Sequence, residues 1–241
     1  MAYEHWAATY ELFEGETARA TWQQGIVAEL RSLSNKVHRV LDLGAGTGIG
    51  GRCIREAFPE AEIFNLDYSR QMLDKGGVPK GQQLVGDMSE FSTAGDKFNF
   101  VVSGFDALNY LPKEKLYGCL CSVAKCLTDN GYLVFDYSTR KVLKYDWRKL
   151  DYINQAQDYE LHRIHRYEPL FDRSKTVIKL HHAGEILWTE THYQYTIDPF
   201  TMEELARCAG LTVVRVRDID AESFSPTTTT HIYTCCKEIS S

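Results

Sequence analysis

The sequence predicts an α/β fold, because short apolar strands alternate with helical segments from residue 40 to residue 137. The first strand and a glycine-rich turn lie together in Val-Leu-Asp-Leu-Gly-Ala-Gly-Thr-Gly-Ile-Gly-Gly, from Val40 to Gly51. From residue 138 to residue 198 the alternation stops, and longer β-type segments with short turns indicate an antiparallel insertion. We therefore expect an open sheet organised around the glycine-rich stretch.

The other elements follow from the spacing of apolar residues and from turn residues. Residues 1–33 are predicted to be helical, and their aromatic-rich opening includes Tyr3, Trp6 and Tyr10. Strands are predicted at 40–43, 63–66, 83–85, 98–103 and 132–136. Helices are predicted at 49–58, 113–127 and 199–210, and a further short helix is predicted to begin at Tyr68. The insertion is predicted to hold a three-stranded meander at 159–170, 176–182 and 186–197, and two last strands follow at 212–219 and 231–237.

The glycine-rich stretch predicts a ligand site. The apolar run Val40 to Leu43 is a short buried strand, and glycine lets the backbone after it take positive φ and approach a ligand closely. The helix that begins at Ile49 offers free backbone N–H groups and a partial positive charge. A polar or anionic ligand is therefore expected, and the spacing of Gly46, Gly48 and Gly51 also fits a dinucleotide.

Three acids favour S-adenosylmethionine (SAM) over a dinucleotide. Asp42 lies inside the first strand, where a carboxylate is costly to bury unless it accepts hydrogen bonds or meets a cation such as the sulfonium or α-amino group of SAM. Asp67 ends the next apolar segment, where it could accept both ribose hydroxyls. Asp87, followed by Met88, ends the third, where its carboxylate could bind the adenine amino group.

This ordered set resembles the class I SAM-dependent methyltransferases, of the type that act on small molecules. The motifs are D-x-G-x-G-x-G at Asp42 to Gly48, the acid Asp67, the pair Asp87-Met88 and the later segment Asp129 to Phe135. The resemblance implies a Rossmann-like seven-stranded sheet of order 3-2-1-4-5-7-6. It also implies SAM as cofactor, S-adenosylhomocysteine as its product, and methyl transfer to a small-molecule acceptor.

The resemblance places the glycine turn under the methionine part of SAM. It implies that the second acid, Asp67, binds the ribose and that the third, Asp87, binds the adenine. The residues assigned in this way are Gly44, Ala45, Gly46, Asp67, Asp87 and Met88. Tyr68 and Met72 are four residues apart and share a helix face, so both could pack on the adenosine. Phe105, which follows the fourth strand, and Arg19, for the cofactor carboxylate, are further cofactor-binding candidates.

The acceptor is expected at the C-terminal edge of the sheet, below the insertion. Tyr-Glu-Leu-Phe at Tyr10 to Phe13 resembles the Y-D-x-F entry of small-molecule methyltransferases, including sugar N-methyltransferases, whose N-terminal segment closes over the active site. By this resemblance Tyr10 could reach SAM or substrate, and an amine acceptor is favoured. Asp106, Asn109 and Tyr110 are candidate substrate contacts after the fourth strand. The catalytic candidates are Tyr10, Tyr110, His181, His182 and His192, of which a histidine could act as general base.

We expect one methyltransferase domain over residues 1–241, with an N-terminal helical cap at 1–35 and a substrate roof formed by the insertion at 138–198. The insertion could alternatively be an oligomer contact, which would make a homodimer. Five histidines fall within it, but strand alternation sends His181 and His182 to opposite faces, so no metal site is expected.

Composition narrows the partners further. A formal net charge of -6 over 241 residues argues against nucleic-acid binding, which normally shows as a basic domain or stripe. No apolar run approaches the ~18 residues that span a membrane, and a cytoplasmic location is expected. The seven cysteines are scattered through helices and strands, which is typical of buried reduced thiols.

Three other functions stay open at this point. A SAM-binding enzyme could perform different chemistry on the same fold. An NAD-dependent oxidoreductase would use the glycine pattern but leaves Asp87-Met88 and Asn130-Gly131 unexplained. A non-catalytic subunit could keep the pocket to support a partner enzyme, although the intact glycine turn and the three acids count against a degenerate pocket.

Overall fold

Eleven strands form two sheets in the computed structural model, which describes residues 5–34, 36–147, 151–221, 223–225 and 228–237. The strands are β1 (Arg39–Leu43), β2 (Glu62–Asp67), β3 (Gln83–Val85), β4 (Phe98–Ser103), β5 (Leu127–Ser138), β6 (Tyr152–Ala156), β7 (Tyr159–Glu168), β8 (Arg173–His182), β9 (Glu185–Tyr195), β10 (Leu211–Asp218) and β11 (Thr230–Lys237). The central sheet has the order β10-β11-β5-β4-β1-β2-β3. Its pairs are parallel except those made by β11, which are antiparallel. The predicted order 3-2-1-4-5-7-6 is confirmed, with β10 and β11 as the sixth and seventh strands.

Helices cover both faces of the central sheet. They are α1 (Tyr10–Trp22), α2 (Ala28–Leu33), α3 (Ile49–Ala57), α4 (Arg70–Lys75), α5 (Lys113–Cys126) and α6 (Pro199–Cys208). A π-helical turn, Gln23–Val27, joins α1 to α2, so the N-terminal helices follow each other without a break; Tyr3 lies outside the described residues. Within the described part of the chain, no helix combines the length and the apolar character needed to cross a membrane.

The apolar residues of β1 show how the layers are held together. Leu41 belongs to a cluster with Leu120 of α5 and Met202 of α6 on one face of the sheet. Its neighbour Val40 belongs to a second cluster with Ile54 of α3, on the other face, together with α1 and α2. Because β1 is covered on both sides, it forms the rigid floor from which the glycine turn emerges.

The insertion forms a separate antiparallel sheet of order β6-β7-β8-β9, called the roof sheet below. The predicted meander has three strands, and the structure adds β6 in front of them. The tight turn between β6 and β7 is made by Gln157, with φ +53°, and Asp158, neither of which is a typical turn glycine. The missing glycine signal explains why the sequence pattern did not reveal this strand.

One face of the roof sheet, called its inner face, is defined by strand register. Arg163 of β7 pairs with Ile178 of β8, which pairs with Glu190 of β9, and the next row is His165, Thr176 and His192. Laterally paired residues point to the same side of a sheet. Leu161, Ile178 and Leu180 on this face form an apolar cluster with Trp6, so the inner face packs on the N-terminal segment.

Candidate active site

A cavity of about 480 Å³ lies at the C-terminal ends of β1, β2 and β4, where open α/β sheets bind ligands. Its volume falls within the range of small-molecule and cofactor sites, ~300–1,000 Å³. It is called the cofactor cavity below. Of the residues predicted to bind the cofactor, those that line it are Tyr10, Gly44, Ala45, Gly46, Asp67, Tyr68, Met72, Asp87, Met88 and Phe105.

The glycine turn after β1 has the geometry of a ligand cradle. Gly44 and Gly46 have φ of +68° and +55°, a region that favours glycine. A Cβ atom on Gly44 would lie only 2.9 Å from the Cβ of Ala107, whereas a Cβ on Gly46 would meet no atom within 4 Å. The turn is therefore held tightly at Gly44 and leaves open space at Gly46, where a ligand can approach the backbone.

Asp67 closes the far side of this turn. Its Oδ2 accepts a hydrogen bond of 2.8 Å from the N–H of Gly46, and its Oδ1 accepts one of 2.8 Å from the N–H of Ser69. Burial raises the pKa of this carboxyl, although these backbone hydrogen bonds oppose the shift. Each carboxylate oxygen can accept a second hydrogen bond, which suits the two hydroxyls of a ribose.

Asp87 and Met88 line the cavity beyond Asp67. Oδ1 of Asp87 accepts a hydrogen bond of 2.8 Å from the N–H of Ser89, and Nζ of Lys115 lies 3.7 Å from Oδ2. Partial burial alone would raise the pKa of Asp87, but the bonds from Ser89 and the nearby ammonium lower it below its usual value. An ionised carboxylate beside a polarizable thioether suits the amino group and the face of an adenine.

The N-terminal helix completes the cofactor cavity with Trp22. A Cβ atom on Gly50 would lie 2.3 Å from the indole ring, and one on Gly104 would lie 2.6 Å from it. Two glycines on different elements therefore leave room for one tryptophan between α3 and the end of β4. The glycine turn, Asp67 and Asp87 together suit SAM, and the buried indole of Trp22 forms part of the cavity wall.

Two residues predicted to bind the cofactor lie elsewhere. Arg19 does not line the cavity: its guanidinium forms an ion pair of 2.5 Å with Glu56 on the surface, and half of each side chain is exposed. Asp42 is fully buried behind the cavity wall, and neither carboxyl oxygen has a hydrogen-bond partner among the described residues. Burial, and then the charge of Asp67, raise the pKa of Asp42 well above its usual value, because the charged form is costly where no partner compensates it.

A second cavity, of about 400 Å³, lies between α1, the ends of β4 and β5, and the inner face of the roof sheet. It is called the acceptor cavity below. Tyr10, Phe105 and Tyr110 line both cavities, so the two meet at these three aromatic side chains. A small molecule in the acceptor cavity would thus face the cofactor cavity where these three rings line both.

Two buried carboxyls stand at this boundary. Phe105 and Asp106 both have left-handed backbone conformations, with φ of +58° and +51°, and Asp136 accepts a hydrogen bond of 2.7 Å from each of their N–H groups. Burial raises the pKa of Asp106 to about 8, with a further contribution from the nearby Asp136, whose own pKa burial raises to about 6. The strained link is therefore fixed by one acid and presents the other to the acceptor cavity.

A chain of three polar groups runs from the roof sheet to the boundary. Nε2 of His192 lies 3.0 Å from Oε2 of Glu190, and its Nδ1 lies 3.1 Å from the hydroxyl of Tyr110. The side chains of His192 and Glu190 are only 2% and 4% exposed. This chain brings a carboxylate, an imidazole and a phenol into line, and the phenol faces both cavities.

An ion pair joins the N-terminal helix to the roof sheet within the acceptor cavity. The guanidinium of Arg163 on β7 contacts the carboxylate of Glu14 on α1, and both side chains are 10% exposed. The same guanidinium donates a hydrogen bond of 2.5 Å to the hydroxyl of Tyr152. Beside it, His165 lines the cavity as a neutral ring, because burial and the charge of Arg163 lower its pKa to about 4.

Three of the predicted acceptor-site residues line neither cavity. His181 stacks on His162 with ring centres 4.0 Å apart, and His182 packs on the ring of Tyr159. Asn109 is fully buried and ties β5 to β9: its amide donates to the carbonyls of Ser138 and Tyr195. Asp106, Tyr110, Tyr10 and His192 do line the acceptor cavity, so these four remain candidates for contact with substrate or for catalysis.

Sequence reasoning missed several residues of both cavities. They are Trp22 and Lys115 in the cofactor cavity and Glu14, Asp136, Arg163 and His165 in the acceptor cavity. The sequence could have indicated Asp136, because a carboxyl at the end of a buried strand needs a functional or structural partner. The others lie on an ordinary amphipathic helix or on alternating strands, where a polar residue carries no such signal.

Part of the chain is similar to known methyltransferases. Residues 40–131 match the family described as "Methyltransferase domain". The malonyl-[acyl-carrier protein] O-methyltransferase of Methylococcus capsulatus is 28% identical over 136 residues, which cover 53% of this chain and 48% of that protein. The chain thus spans about half the length of the curated relative that it matches.

Solved structures share the whole fold at low identity. The SAM-dependent methyltransferase of Clostridium acetobutylicum has a TM-score of 0.81 and 17% identity, covering 99% of this chain and all of that one. CcbJ methyltransferase of Streptomyces caelestis has a TM-score of 0.78, 17% identity and coverage of 97% and 96%. CalS10 of Micromonospora echinaspora, an amino pentose methyltransferase solved with SAM bound, has a TM-score of 0.70, 17% identity and coverage of 98% for both chains. These similarities establish a common fold.

Proposed function

We propose that this chain is a class I SAM-dependent methyltransferase, with SAM as its cofactor, that transfers the SAM methyl group to an amine of a small molecule held in the acceptor cavity. The match of residues 40–131 to a methyltransferase domain supports this proposal. The observation that carries this proposal is the meeting of the cofactor and acceptor cavities at Tyr10, Phe105 and Tyr110. A nucleophile in one cavity and a methyl donor in the other would meet beside these rings, and holding them in line there can supply ~7–11 kcal/mol of the barrier.

The cofactor-binding roles follow the geometry of the turn. Bound SAM would supply a methyl group on a positively charged sulfur, which makes the methyl carbon electrophilic. We assign the backbone of Gly44 to Gly46 to its methionine part, Asp67 to the ribose, and Asp87 with Met88 to the adenine. The aromatic rings around the boundary keep water away from the methyl group, so water does not compete with the acceptor.

An amine acceptor is supported by the charge of the acceptor cavity. Its described lining residues include the three acids Glu14, Asp106 and Asp136, whereas Arg163 is the one Arg or Lys among them and contacts Glu14. Burial, and then the nearby Asp136, raise the pKa of Asp106 to about 8, so its carboxyl holds a proton in the ligand-free protein. An ammonium group of the substrate would supply a positive charge and stabilise the ionised carboxylate.

A comparison with solved proteins points the same way. CalS10 is an amino pentose methyltransferase, and the sugar N-methyltransferase KedS8 of Streptoalloteichus has the same fold with a TM-score of 0.65. The acceptor cavity of this chain adds hydroxyls from Thr17, Thr176 and Tyr152, which suit a polar acceptor. A small polar amine is therefore the acceptor class that we favour.

Binding and turnover assays test this proposal. Calorimetry should give micromolar affinity for SAM and S-adenosylhomocysteine and none for NADH. Mass spectrometry of reactions with SAM should then find methylated products from small amines and none from matched compounds in which a hydroxyl replaces the amine. Binding of NADH alone would favour the oxidoreductase, SAM binding with products other than methylated ones would favour different chemistry, and methylation of the hydroxyl compounds alone would overturn the amine assignment.

The predictions of one domain, of a cytoplasmic location and of a homodimer stay predictions. For the homodimer we favour the outer face of the roof sheet, where Ile153, Ile164 and Ile186 are each more than one-third exposed. These residues lie on the side away from the acceptor cavity, so pairing there would leave the site accessible. Sedimentation of the purified protein measures the oligomeric state, and Ile153→Lys should give a monomer if this face is the contact.

A further inference from the structure

We propose that Glu190, His192 and Tyr110 form a proton relay that removes a proton from the acceptor nitrogen. This inference rests on the proposed function, because it needs an amine in the acceptor cavity. Tyr110 is the group that touches the substrate, since it lines both cavities. His192 and Glu190 act through it and are positioning residues.

The direction of the relay follows from the carboxylate at its inner end. An ionised carboxylate can only accept hydrogen bonds, so Nε2 of His192, 3.0 Å from Oε2 of Glu190, carries the hydrogen in the neutral ring. Nδ1 is then unprotonated and accepts from the hydroxyl of Tyr110 at 3.1 Å. Glu190 thereby fixes the tautomer that points the basic nitrogen of His192 toward the substrate side.

The proton transfer balances without any further reactant. The acceptor ammonium gives a proton to the oxygen of Tyr110, which gives its own proton to Nδ1 of His192. The imidazolium so formed is stabilised by the carboxylate of Glu190. The freed lone pair of the nitrogen forms the bond to the methyl carbon, and the electron pair of the broken carbon–sulfur bond stays on sulfur. After the product leaves, the proton returns through Tyr110 to water in the acceptor cavity.

Neighbouring residues hold the three relay side chains in place and shield them from solvent. The ring of Trp6 meets the ring of His192 edge-on, with centres 5.7 Å apart, and the N–H of His5 donates to Oε1 of Glu190 at 3.1 Å. On β8, Thr176 pairs directly with His192. An imidazolium in such a site is stabilised mainly by Glu190, because a buried charge has little water to solvate it.

Other titratable groups near the relay are few and can be named. Tyr10 of α1 lies close enough to Tyr110 for the two to influence each other's charge, and burial raises the pKa of Tyr10 far above its usual value. Asp106 after β4 and Asp136 on β5 line the same cavity. On the inner face of the roof sheet Arg163, which contacts Glu14 of α1, lies in the row of Glu190, and His165 lies in the row of His192. Of these, Asp106 is suited to bind the ammonium group of the substrate. Tyr110 differs from them because its hydroxyl is hydrogen-bonded to the buried imidazole of His192.

The chain contains its own control for this arrangement. Glu160 and His162 on β7 have the same Glu-x-His spacing as Glu190 and His192, and their side chains lie 3.2 Å apart. Register places them beside Ile153 and His181 on the outer face, where 45% and 28% of the two side chains are exposed. His162→Gln therefore removes a carboxylate-paired histidine from the roof sheet without touching either cavity.

Kinetics as a function of pH test the relay. We compare kcat/KM for the amine in wild type, Tyr110→Phe, His192→Gln, Glu190→Gln and His162→Gln. At pH 7 the first three substitutions should lower kcat/KM about 10²- to 10⁴-fold, the usual contribution of a general base. The defect should shrink as the pH approaches the pKa of the acceptor amine, because a neutral amine needs no base. His162→Gln should stay within about twofold of wild type at every pH.

A spectroscopic measurement on the ligand-free protein is independent of turnover. Nitrogen NMR of the wild type should find the Nε2–H tautomer of His192, and Glu190→Gln should change the tautomer population, since an amide can also donate to Nε2. Calorimetric SAM affinity within about threefold of wild type shows that each variant is folded with an intact cofactor cavity. Glu190→Gln keeps the shape of the side chain and serves as the informative variant if His192→Gln fails to fold.

The outcomes separate the two proposals. If the wild type methylates amines but His192→Gln and Glu190→Gln follow the pH profile of His162→Gln, the relay is wrong and the amine assignment stands. If the wild type methylates no amine, the proposed function fails. An Nδ1–H tautomer of His192 overturns the relay whatever the substrate proves to be, because Tyr110 could then not donate to it.

Discussion

The carboxylate of Asp67 accepts a hydrogen bond of 2.8 Å from the backbone N–H of Gly46, and so joins the end of β2 to the glycine turn after β1. Its other oxygen accepts from the N–H of Ser69. One side chain thus fixes the turn that cradles the ligand and keeps capacity to accept ribose hydroxyls. In the proposed site, the shape of the glycine turn and the binding of the ribose therefore depend on the same carboxylate.

Asp67→Ala should weaken SAM binding at least tenfold, which corresponds to about 1.4 kcal/mol. Asp67→Asn should also weaken it, since both oxygens of Asp67 accept from N–H groups and an amide nitrogen cannot. Calorimetry with SAM measures both changes. Asp74→Ala, which removes an exposed acid from α4, is the matched control and should bind like wild type. Unchanged affinity in folded Asp67→Ala would remove the ribose assignment.

Asp106→Asn should make the folding stability of the ligand-free protein less sensitive to rising pH. The pKa of Asp106 is about 8 in the folded chain and ~3.9 in an unfolded one. The folded state therefore holds a proton that the unfolded state releases, so the stability linked to Asp106 is fully present below pH 4 and is lost as pH rises through 8. An amide at this position has no proton to lose, which removes that loss.

Urea unfolding at pH 5 and pH 8 checks this sign. From pH 5 to pH 8, the free energy of unfolding of Asp106→Asn should fall by at least ~1 kcal/mol less than that of wild type. For a chain of this size, that difference corresponds to roughly 2–4 °C in melting temperature. The same variant should lose amine methylation, because the group that balances the ammonium is gone. Wild-type and variant stabilities that stay parallel from pH 5 to pH 8 would contradict the raised pKa of Asp106.

The parts of the site that the sequence predicts well are those attached to strand ends. The glycine turn, Asp67 and Asp87 each follow a parallel strand, and parallel strands end at the same edge of a sheet. Neighbours in the sheet then bring these residues together without any further information. The same rule places Phe105 and Asp106 at this edge, after β4. Asp42, by contrast, lies within β1, and its distance from the cavity wall could not be read from its position before the glycines.

The parts that the sequence could not predict depend on which face of the roof sheet turns inward. Glu160-His162 and Glu190-His192 have identical spacing on strands of the same sheet, yet only the second pair reaches a cavity. The choice is made by the packing of Trp6 on Leu161 of β7, a contact between distant parts of the chain. Strand alternation separates the two faces but carries no information on which one meets α1.

The ion pair between Glu14 and Arg163 should be tested as a unit. Breaking a buried pair leaves an uncompensated charge, so Arg163→Met should destabilise the protein by about 3–5 kcal/mol. Adding Glu14→Gln should recover part of that loss, because the charge left behind is removed. On the same sheet, Arg166 and Asp151 form a pair of 2.7 Å with 61% and 41% exposed side chains. Arg166→Met should cost only ~0–1 kcal/mol.

Denaturant unfolding of the two single variants and the double variant gives the coupling energy. If the double variant Glu14→Gln with Arg163→Met loses as much stability as the two single variants together, or more, the charges are not compensating each other. Such a result would show that Arg163 matters mainly through Tyr152, whose hydroxyl it also contacts, or through its packing near Trp6.

Gly50→Ala should lower both stability and SAM affinity through Trp22. Gly50 lies in the first turn of α3, where replacing glycine by alanine ordinarily gains roughly 1 kcal/mol of helix propensity. The new Cβ would lie 2.3 Å from the indole of Trp22, so the ring must move, and such overpacking typically costs about 1–3 kcal/mol. We expect the cost of the close contact to exceed the gain in helix propensity. Movement of Trp22 would also change the wall of the cofactor cavity.

Gly81→Ala is the matched control for this contact, because a Cβ at Gly81 would meet no atom within 4 Å. It should leave SAM affinity unchanged and should not lower the melting temperature. Thermal unfolding and calorimetry of both variants decide the matter. Gly50→Ala that is more stable than wild type would mean that helix propensity dominates and that Trp22 has room to shift. Trp22→Phe combined with Gly50→Ala should recover stability if the indole ring is the obstacle, since the smaller ring leaves space for the added methyl group.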